Sequence, residues 1–296
     1  MTTTLTPGAA LRLLASSRPL SWVNTAYPFA LGYLAGGGRV DAVLAVGTLF
    51  FLFPYNLLMY GVNDVFDHES DLRNPRKGGV EGIVLDPGLH RTMLWVAGLV
   101  CVPFVLALLA VGNPWSSLAL VAVLAAVVGY SAPQVRLKER PVLDSLTSSV
   151  HFVGPALVGL LMADGGIGRT ALVVLAAFLA WGMASHALGA VQDVLADRSA
   201  GIGSVATALG ARWTVRGAIA LYLVAGTLLV TLPGPIRLSA LLVLPYALSA
   251  WPLRSLPDAE SPRAHAAWRR FLVLNLLAGT ALTIGLLIAA LPGSGQ

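Results

Sequence analysis

The chain has 296 residues, 56% of them hydrophobic and 11% charged, with a mean hydropathy of +0.77. Soluble domains carry roughly 25% charged residues, so these figures exclude a soluble fold and define an integral membrane protein. The formal charge of +5 does not signal a nucleic-acid partner, because the positions of the basic residues serve to orient the chain across a bilayer.

Crossing a bilayer takes about 20 predominantly apolar residues in a helix. Residues 1–17, with "ALRLLASS", read as a short interfacial N-terminal segment. Nine apolar stretches follow, at 20–36, 41–62, 91–111, 115–131, 142–162, 170–190, 213–232, 236–253 and 270–291. The fold class expected is therefore all-α, a polytopic bundle of nine transmembrane helices forming a single domain over 1–296. The first stretch has basic residues before it and small ones after it, as a signal sequence would. It lacks an A-x-A cleavage site and continues the pattern of the later spans, so it reads as a helix of the bundle. Cys101 lies mid-span as a buried thiol and has no second cysteine to pair with. Trp95, Trp115, Trp181, Trp213, Trp251 and Trp268 lie toward span ends, where indoles anchor at the interface.

With nine spans, the N-terminus and the loops 2–3, 4–5, 6–7 and 8–9 share one side. These regions hold 16 of the 19 Lys plus Arg; Arg39, Arg169 and Arg237 are the other three. By the positive-inside rule the N-terminus is cytoplasmic and the C-terminus outside.

Directly after the second span stands "NDVFDHESD", residues 63–71, with four acids in nine positions. Asn63, Asp67 and Asp71 are spaced four apart, so each advances only about 40° around a helix and all three share one face. After the sixth span "QDVLAD" repeats the theme, with Asp193 and Asp197 at i and i+4. The charge count puts both clusters on the cytoplasmic side. Crowded carboxylates repel unless cations neutralise them, and hard oxygen ligands without Cys or clustered His select Mg²⁺ over Zn²⁺. Magnesium shared between carboxylates and phosphate oxygens implies a phosphate-bearing substrate, with basic residues on the remaining anionic oxygens. The same side offers Arg73, Arg76 and Lys77 in "RNPRKGG", and Tyr130, Arg136 and Lys138 in "YSAPQVRLKERP". Gly78 and Gly79 mark a turn, since no Walker sequence surrounds them.

Polar residues within the spans, Asn24, Tyr27, Tyr55, Asn56, Tyr60, His151, Ser185 and His186, either line an acceptor pocket or hydrogen-bond between helices. A transporter is the alternative of another class, but transporters bury ionisable groups near the membrane midplane at broken helices. Here the carboxylates gather at one end of the spans.

NxxxDxxxD after the second helix, DxxxD after the sixth and YSxP-x-x-RLK between them resemble the UbiA superfamily of intramembrane prenyltransferases. Four longer stretches, "SRPLSWVNTAYPFALGYL", "FPYNLLMYGVNDVFDHESDLRNPRKGGVEG", "YSAPQVRLKERPVLDSLTSS" and "WGMASHALGAVQDVLADRSAGIGSVAT", are similar to the lycopene elongases of actinobacteria. His68 departs from that pattern, which has Tyr there. The resemblance implies an Mg²⁺-bound allylic diphosphate held by Asn63, Asp67, Asp71, Asp193 and Asp197, with Arg136 and Lys138 as its basic segment. It further implies dimethylallyl diphosphate as donor and lycopene, reached from membrane lipid, as acceptor, giving flavuxanthin-type long carotenoids. A quinone precursor or another lipophilic acceptor is the alternative within the superfamily. Attack by the terminal alkene leaves a tertiary cation, which either proton loss or capture of water resolves. Diphosphate oxygens, His151, His186 and Asp144 are the candidate bases.

The topology is testable: a reporter that fluoresces only in the cytoplasm, fused after Gln296 of an active enzyme, stays dark. Bright cells would shift the number of spans by one.

Overall fold

The computed structural model describes residues 7–72, 83–163 and 165–290. Every regular element among them is helical. The backbone divides into two compact units, Met1–Gly168 and Arg169–Gln296.

The first unit contains α1 (Pro7–Ser16), α2 (Val23–Ala35), α3 (Ala42–Leu52), α4 (Pro54–Phe66), α5 (His68–Asp71), α6 (His90–Val111), α7 (Pro114–Ser131) and α8 (Leu143–Met162). Of the N-terminal segment 1–17, the described part forms α1. It buries Leu13 with Leu57, Leu85, Met93 and Ala97 and turns Leu11 and Leu14 outward.

Eight stretches among the described residues are long and apolar enough to cross a membrane, from Ala42–Phe66 to Asp258–Ile288. The expected first span is the short one: α2 has 13 residues, about 20 Å of helix at 1.5 Å per residue. It is nonetheless built into the core, with Ala26, Phe29 and Tyr33 buried.

What lets α2 pack is the absence of side chains. A Cβ on Gly32 would lie 2.2 Å from the Ala156 carbonyl oxygen, and one on Gly159 would lie 2.3 Å from that of Phe29. Small residues at such crossings bring two backbones together, which is how helices associate where lipid removes the hydrophobic drive.

The stretch expected as one span at 41–62 is two helices, broken at Phe53 (φ −120°, ψ −61°) before Pro54. Proline brings no N–H, and its ring clashes with the preceding turn, so carbonyls there lose their helical donors. Other side chains replace them. Asn56 Nδ2 donates to the carbonyls of Phe51 (2.9 Å) and Leu52 (3.0 Å), and Thr25 Oγ1 donates to Phe51 at 2.6 Å. Cys101, buried as expected, donates its thiol to the Pro54 carbonyl at 3.2 Å.

The second unit contains α9 (Arg169–Val191), α10 (Val194–Ala200), α11 (Val205–Val230), α12 (Leu244–Ala250) and α13 (His265–Ala290), with 3₁₀ turns at Gly234–Leu242, Trp251–Leu253 and Asp258–Ala264. Alanines 177, 180 and 184 of α9 meet Ala211, Val215 and Ala218 of α11 in its core. Ser185 and Tyr222 share a hydrogen bond at 3.0 Å, and Tyr246 donates to Asn275 at 3.1 Å, so these four polar groups inside the spans are paired. Helix α11 kinks at Gly210 (φ 76°, ψ 162°). There Asp258 Oδ1 accepts the Ala211 N–H at 2.7 Å.

The tryptophans divide into two groups. Trp95, Trp115, Trp213 and Trp251 are exposed at the surface. Trp181 and Trp268 instead pack against the core of the second unit, with their rings 5.8 and 4.9 Å from Phe271. Anchoring at the interface therefore does not describe those two.

One substitution made at two glycines separates packing from propensity. Gly32→Ala drives a methyl into the Ala156 carbonyl and is expected to cost about 1–3 kcal/mol, whereas Gly98→Ala, with open space around its Cβ, is neutral or stabilising. Thermal melts of both variants in one detergent check this; equal melting temperatures would show that the α2–α8 contact is not close.

Candidate active site

The end of α4 carries the first acidic motif, and its backbone keeps the expected face. The N–H of Asp67 donates to the Asn63 carbonyl at 2.9 Å, and that of Asp71 to the Asp67 carbonyl at 2.8 Å. The three residues thus follow one another a turn apart, even though Asp67 (φ −100°, ψ 2°) closes α4 and His68 opens α5. Asp67 and Asp71 are only 6% and 7% exposed, far more enclosed than solvated loop acids. Asn63 Nδ2 donates to Asp67 Oδ2 at 2.7 Å and to Ser131 Oγ at 3.0 Å.

The basic segment reaches the same place. Lys138 forms an ion pair with Asp67 Oδ1. Arg136 pairs with Glu139 and donates to the Phe66 carbonyl at 3.4 Å. A tight turn makes this reach possible: Arg136 and Val142 hold positive φ, 43° and 73°, on either side of the 3₁₀ turn Leu137–Glu139. Valine rarely adopts such a conformation, and strain of this kind collects at functional sites. Tyr130 closes the cluster, its ring edge-on to His151 at 5.0 Å and its hydroxyl bonded to Ser148. Arg73, Arg76 and Lys77 lie outside the described residues.

Asp64, the fourth acid of the region, does different work. It sits one residue beyond Asn63, about 100° around the helix, and is 1% exposed. Ser16 donates to it at 2.5 Å and Arg18 pairs with it at 3.3 Å, while the Arg18 guanidinium lies 4.2 Å over the Tyr60 ring. It ties the N-terminal segment to α4. Its signal in the sequence was its register, out of phase with the four-residue ladder.

In the second unit, Asp193 occupies the junction of α9 and α10 (φ −98°, ψ −3°), and Asp197 follows one turn on, its N–H donating to the Asp193 carbonyl at 2.8 Å. Gln192 contacts His265 Nδ1 at 2.8 Å. Both aspartates are half-buried.

The polar residues within the spans take several roles. Tyr55 donates to the His151 carbonyl at 3.0 Å, Asn56 covers the helix break, and Tyr60 supports Arg18. Asn24 is exposed on α2, and Tyr27 and His186 are half-buried. His68, which departs from the elongase pattern, stacks edge-on with His90 at 4.9 Å.

Carboxylate and amide oxygens with an adjacent lysine fit Mg²⁺ and a phosphate group better than a soft metal. Among the described residues, no three His, Cys, Asp or Glu side chains form a ligand set by themselves.

Known proteins extend this picture. A lycopene elongase/hydratase of Corynebacterium glutamicum is 48% identical over 277 residues, covering 94% of this chain and 96% of that protein. The C(50) beta-cyclic carotenoids biosynthesis protein LbtBC of a Dietzia species is 51% identical over 279 residues, covering 94% of this chain and 65% of that longer protein. Among solved structures, a UbiA homologue of Archaeoglobus fulgidus bound to DMAPP and Mg²⁺ matches with a TM-score of 0.65 at 19% identity, over 90% of this chain and 98% of that one. The apo UbiA homologue of Aeropyrum pernix matches with a TM-score of 0.66 at 17% identity, over 89% and 98%. At such identities these two establish the fold. The model of the UbiA prenyltransferase family matches residues 25–291, and with near-half identity to carotenoid-pathway relatives along almost its whole length, the chain belongs to the UbiA family of prenyltransferases.

Proposed function

We propose that this prenyltransferase moves a dimethylallyl group from dimethylallyl diphosphate to the ends of lycopene, in an Mg²⁺-dependent reaction. The observation that carries the reading is the enclosed Asn63–Asp67–Asp71 ladder with Lys138 on Asp67. The relatives named for lycopene elongation support the acceptor. The proposed catalytic domain spans 1–296, with 1–17 at the membrane interface and both acidic motifs in the cytoplasm.

Asn63, Asp67, Asp71, Asp193 and Asp197 are the proposed ligands for metal and diphosphate. A bound Mg²⁺ would supply charge neutralisation for the departing diphosphate. Lys138 and Arg136 bind anionic oxygens of the donor, and Lys138 then exchanges its Asp67 partner for phosphate. Arg73, Arg76 and Lys77 are proposed for the same role. Tyr130, fixed by Ser148 and His151, presents a hydroxyl to the donor.

Breaking the C–O bond of the donor sends the electron pair to diphosphate and leaves an allylic cation. The terminal alkene of lycopene then forms the new C–C bond, and the tertiary cation it leaves is resolved by loss of a proton or by water. No base is needed before the attack. Lycopene is longer than the ~30 Å hydrocarbon layer, so it enters end-first and leaves its far end in lipid. The two ends then react in succession.

Two results check this reading. Asp67→Ala and Asp193→Ala each abolish turnover while the protein still folds, since charge stabilisation of this kind is worth several kcal/mol of barrier; full activity of both, or activity indifferent to a strong chelator, removes the mechanism. Purified protein given Mg²⁺, dimethylallyl diphosphate and lycopene yields products heavier by one or two five-carbon units, read by mass beside parallel reactions with an aromatic acid and a quinone precursor. Prenylation of a non-carotenoid acceptor alone would retain the family chemistry and overturn lycopene as acceptor.

A further inference from the structure

We infer that an arginine–tryptophan patch on the second unit binds the headgroup of an anionic glycerophospholipid. The patch is formed by Arg212, Trp213 and Arg216 in α11 and by Trp251 and Arg254 at and just after the end of the 3₁₀-rich span that follows it, Gly234–Leu253. Arg216 Nε donates to the Arg254 carbonyl at 3.0 Å and joins the two segments.

Depth comes first. Trp213 and Trp251 are 61% and 53% exposed; Trp213 opens the apolar stretch 213–232 directly after Arg212, and Trp251 lies at the end of the stretch 236–253, and exposed indoles at such ends sit at headgroup level. Each carries an arginine. The Arg216 guanidinium lies 4.9 Å from the Trp213 ring centre, and that of Arg254 lies 4.8 Å from the Trp251 ring centre. Stacking holds these long side chains in place before a ligand arrives, and their planar forks match phosphate oxygens two at a time.

Charge comes second. None of Arg212, Arg216 and Arg254 forms an ion pair among the described residues. The carboxylate that shares a cleft with Arg212, Asp258, is paired with Arg198 Nη1 at 2.6 Å and accepts the Ala211 N–H at 2.7 Å. Beside the stacked pairs, Arg212 lines a cleft of about 310 Å³ together with Gly210, Trp213 and Asp258. This gives a polar recess next to fixed cations at the depth where lipid phosphates lie. Purely topogenic charge needs neither the stacking nor the recess.

The test is a titration of the delipidated full chain with phosphatidylglycerol or phosphatidylcholine, with bound lipid counted by native mass spectrometry. Phosphatidylglycerol is expected to bind about tenfold more tightly, the order produced by one or two basic contacts at an anionic surface. The variant R212Q/R216Q/R254Q brings the two lipids within twofold of each other. Should that variant fail to fold, Arg212→Gln suffices, because Arg212 makes no hydrogen bond or ion pair among the described residues, and it weakens phosphatidylglycerol binding severalfold. The control R39Q/R237Q leaves the preference intact. An unchanged preference in the Arg212→Gln or triple variant, or an equal loss in the control, overturns the site.

Discussion

A buried backbone carbonyl or amide without a partner is costly, by several kcal/mol where hydrocarbon surrounds it, and this cost governs the breaks in the helical ladders. Two stand out. At Phe53–Pro54 the ladder of the second span opens, and Asn56 and Thr25 supply donors to the carbonyls of Phe51 and Leu52, while the Cys101 thiol adds a bond from α6 to the Pro54 carbonyl. At Gly210 the ladder of α11 opens the other way, exposing an amide, and the Asp258 carboxylate accepts it. The chemistry of the replacement follows the polarity of the fault: side-chain donors for orphaned carbonyls, an anion for an orphaned N–H.

The first of these repairs also fixes the active end of α4. With the break closed by α2 and α6, α4 becomes a separate rod whose direction is set by its own neighbours and not by α3. Its far end then carries two acid systems on different faces. Asp64 faces the N-terminal segment, where Arg18 neutralises it and Ser16 donates to it, while Asp67 pairs with Lys138 of the 136–140 turn and Asn63 bonds both Asp67 and Ser131. Removing one partner from a buried pair such as Arg18–Asp64 costs several kcal/mol, because the remaining charge is stranded. The N-terminal segment is thereby locked onto the helix that presents the motif. The strained Val142 and the left-handed Arg136 show the same priority in the opposite loop, where backbone comfort yields to the placement of Lys138.

Much of this was legible in the sequence, and the reasons are physical. Spans show because hydrocarbon demands long apolar runs, and the acidic ladders show because a four-residue period is a helical period whatever the tertiary context. The ladder continued through Asp67 even though the helix does not, since its i to i+4 backbone bonds survive the change of element. Other features left no local trace. Asn56 reads as a pocket residue when only its burial can be guessed; that it caps a break depends on Pro54 two positions earlier acting together with Thr25 on another helix. Trp181 and Trp268 read as anchors by position along the chain, yet the alanine-rich faces around them leave room for indoles in the core.

The glycines make a similar distinction. Gly32 and Gly159 are ordinary residues in a composition with 31 glycines, and nothing in their immediate neighbours separates them from Gly98. Only the partner helix does: one pair permits carbonyl-to-Cα approach across α2 and α8, and the other residue faces open space. The shortness of α2 gives this contact its importance. A 13-residue helix cannot satisfy a bilayer by length, so its place in the unit rests on the closeness of its packing, and Phe29 and Tyr33 bury their rings because the backbone beneath them lies against α8. The same contact holds Thr25 where it meets the Phe51 carbonyl, so the small-residue crossing and the repaired break belong to one support for α4 and the carboxylates at its end.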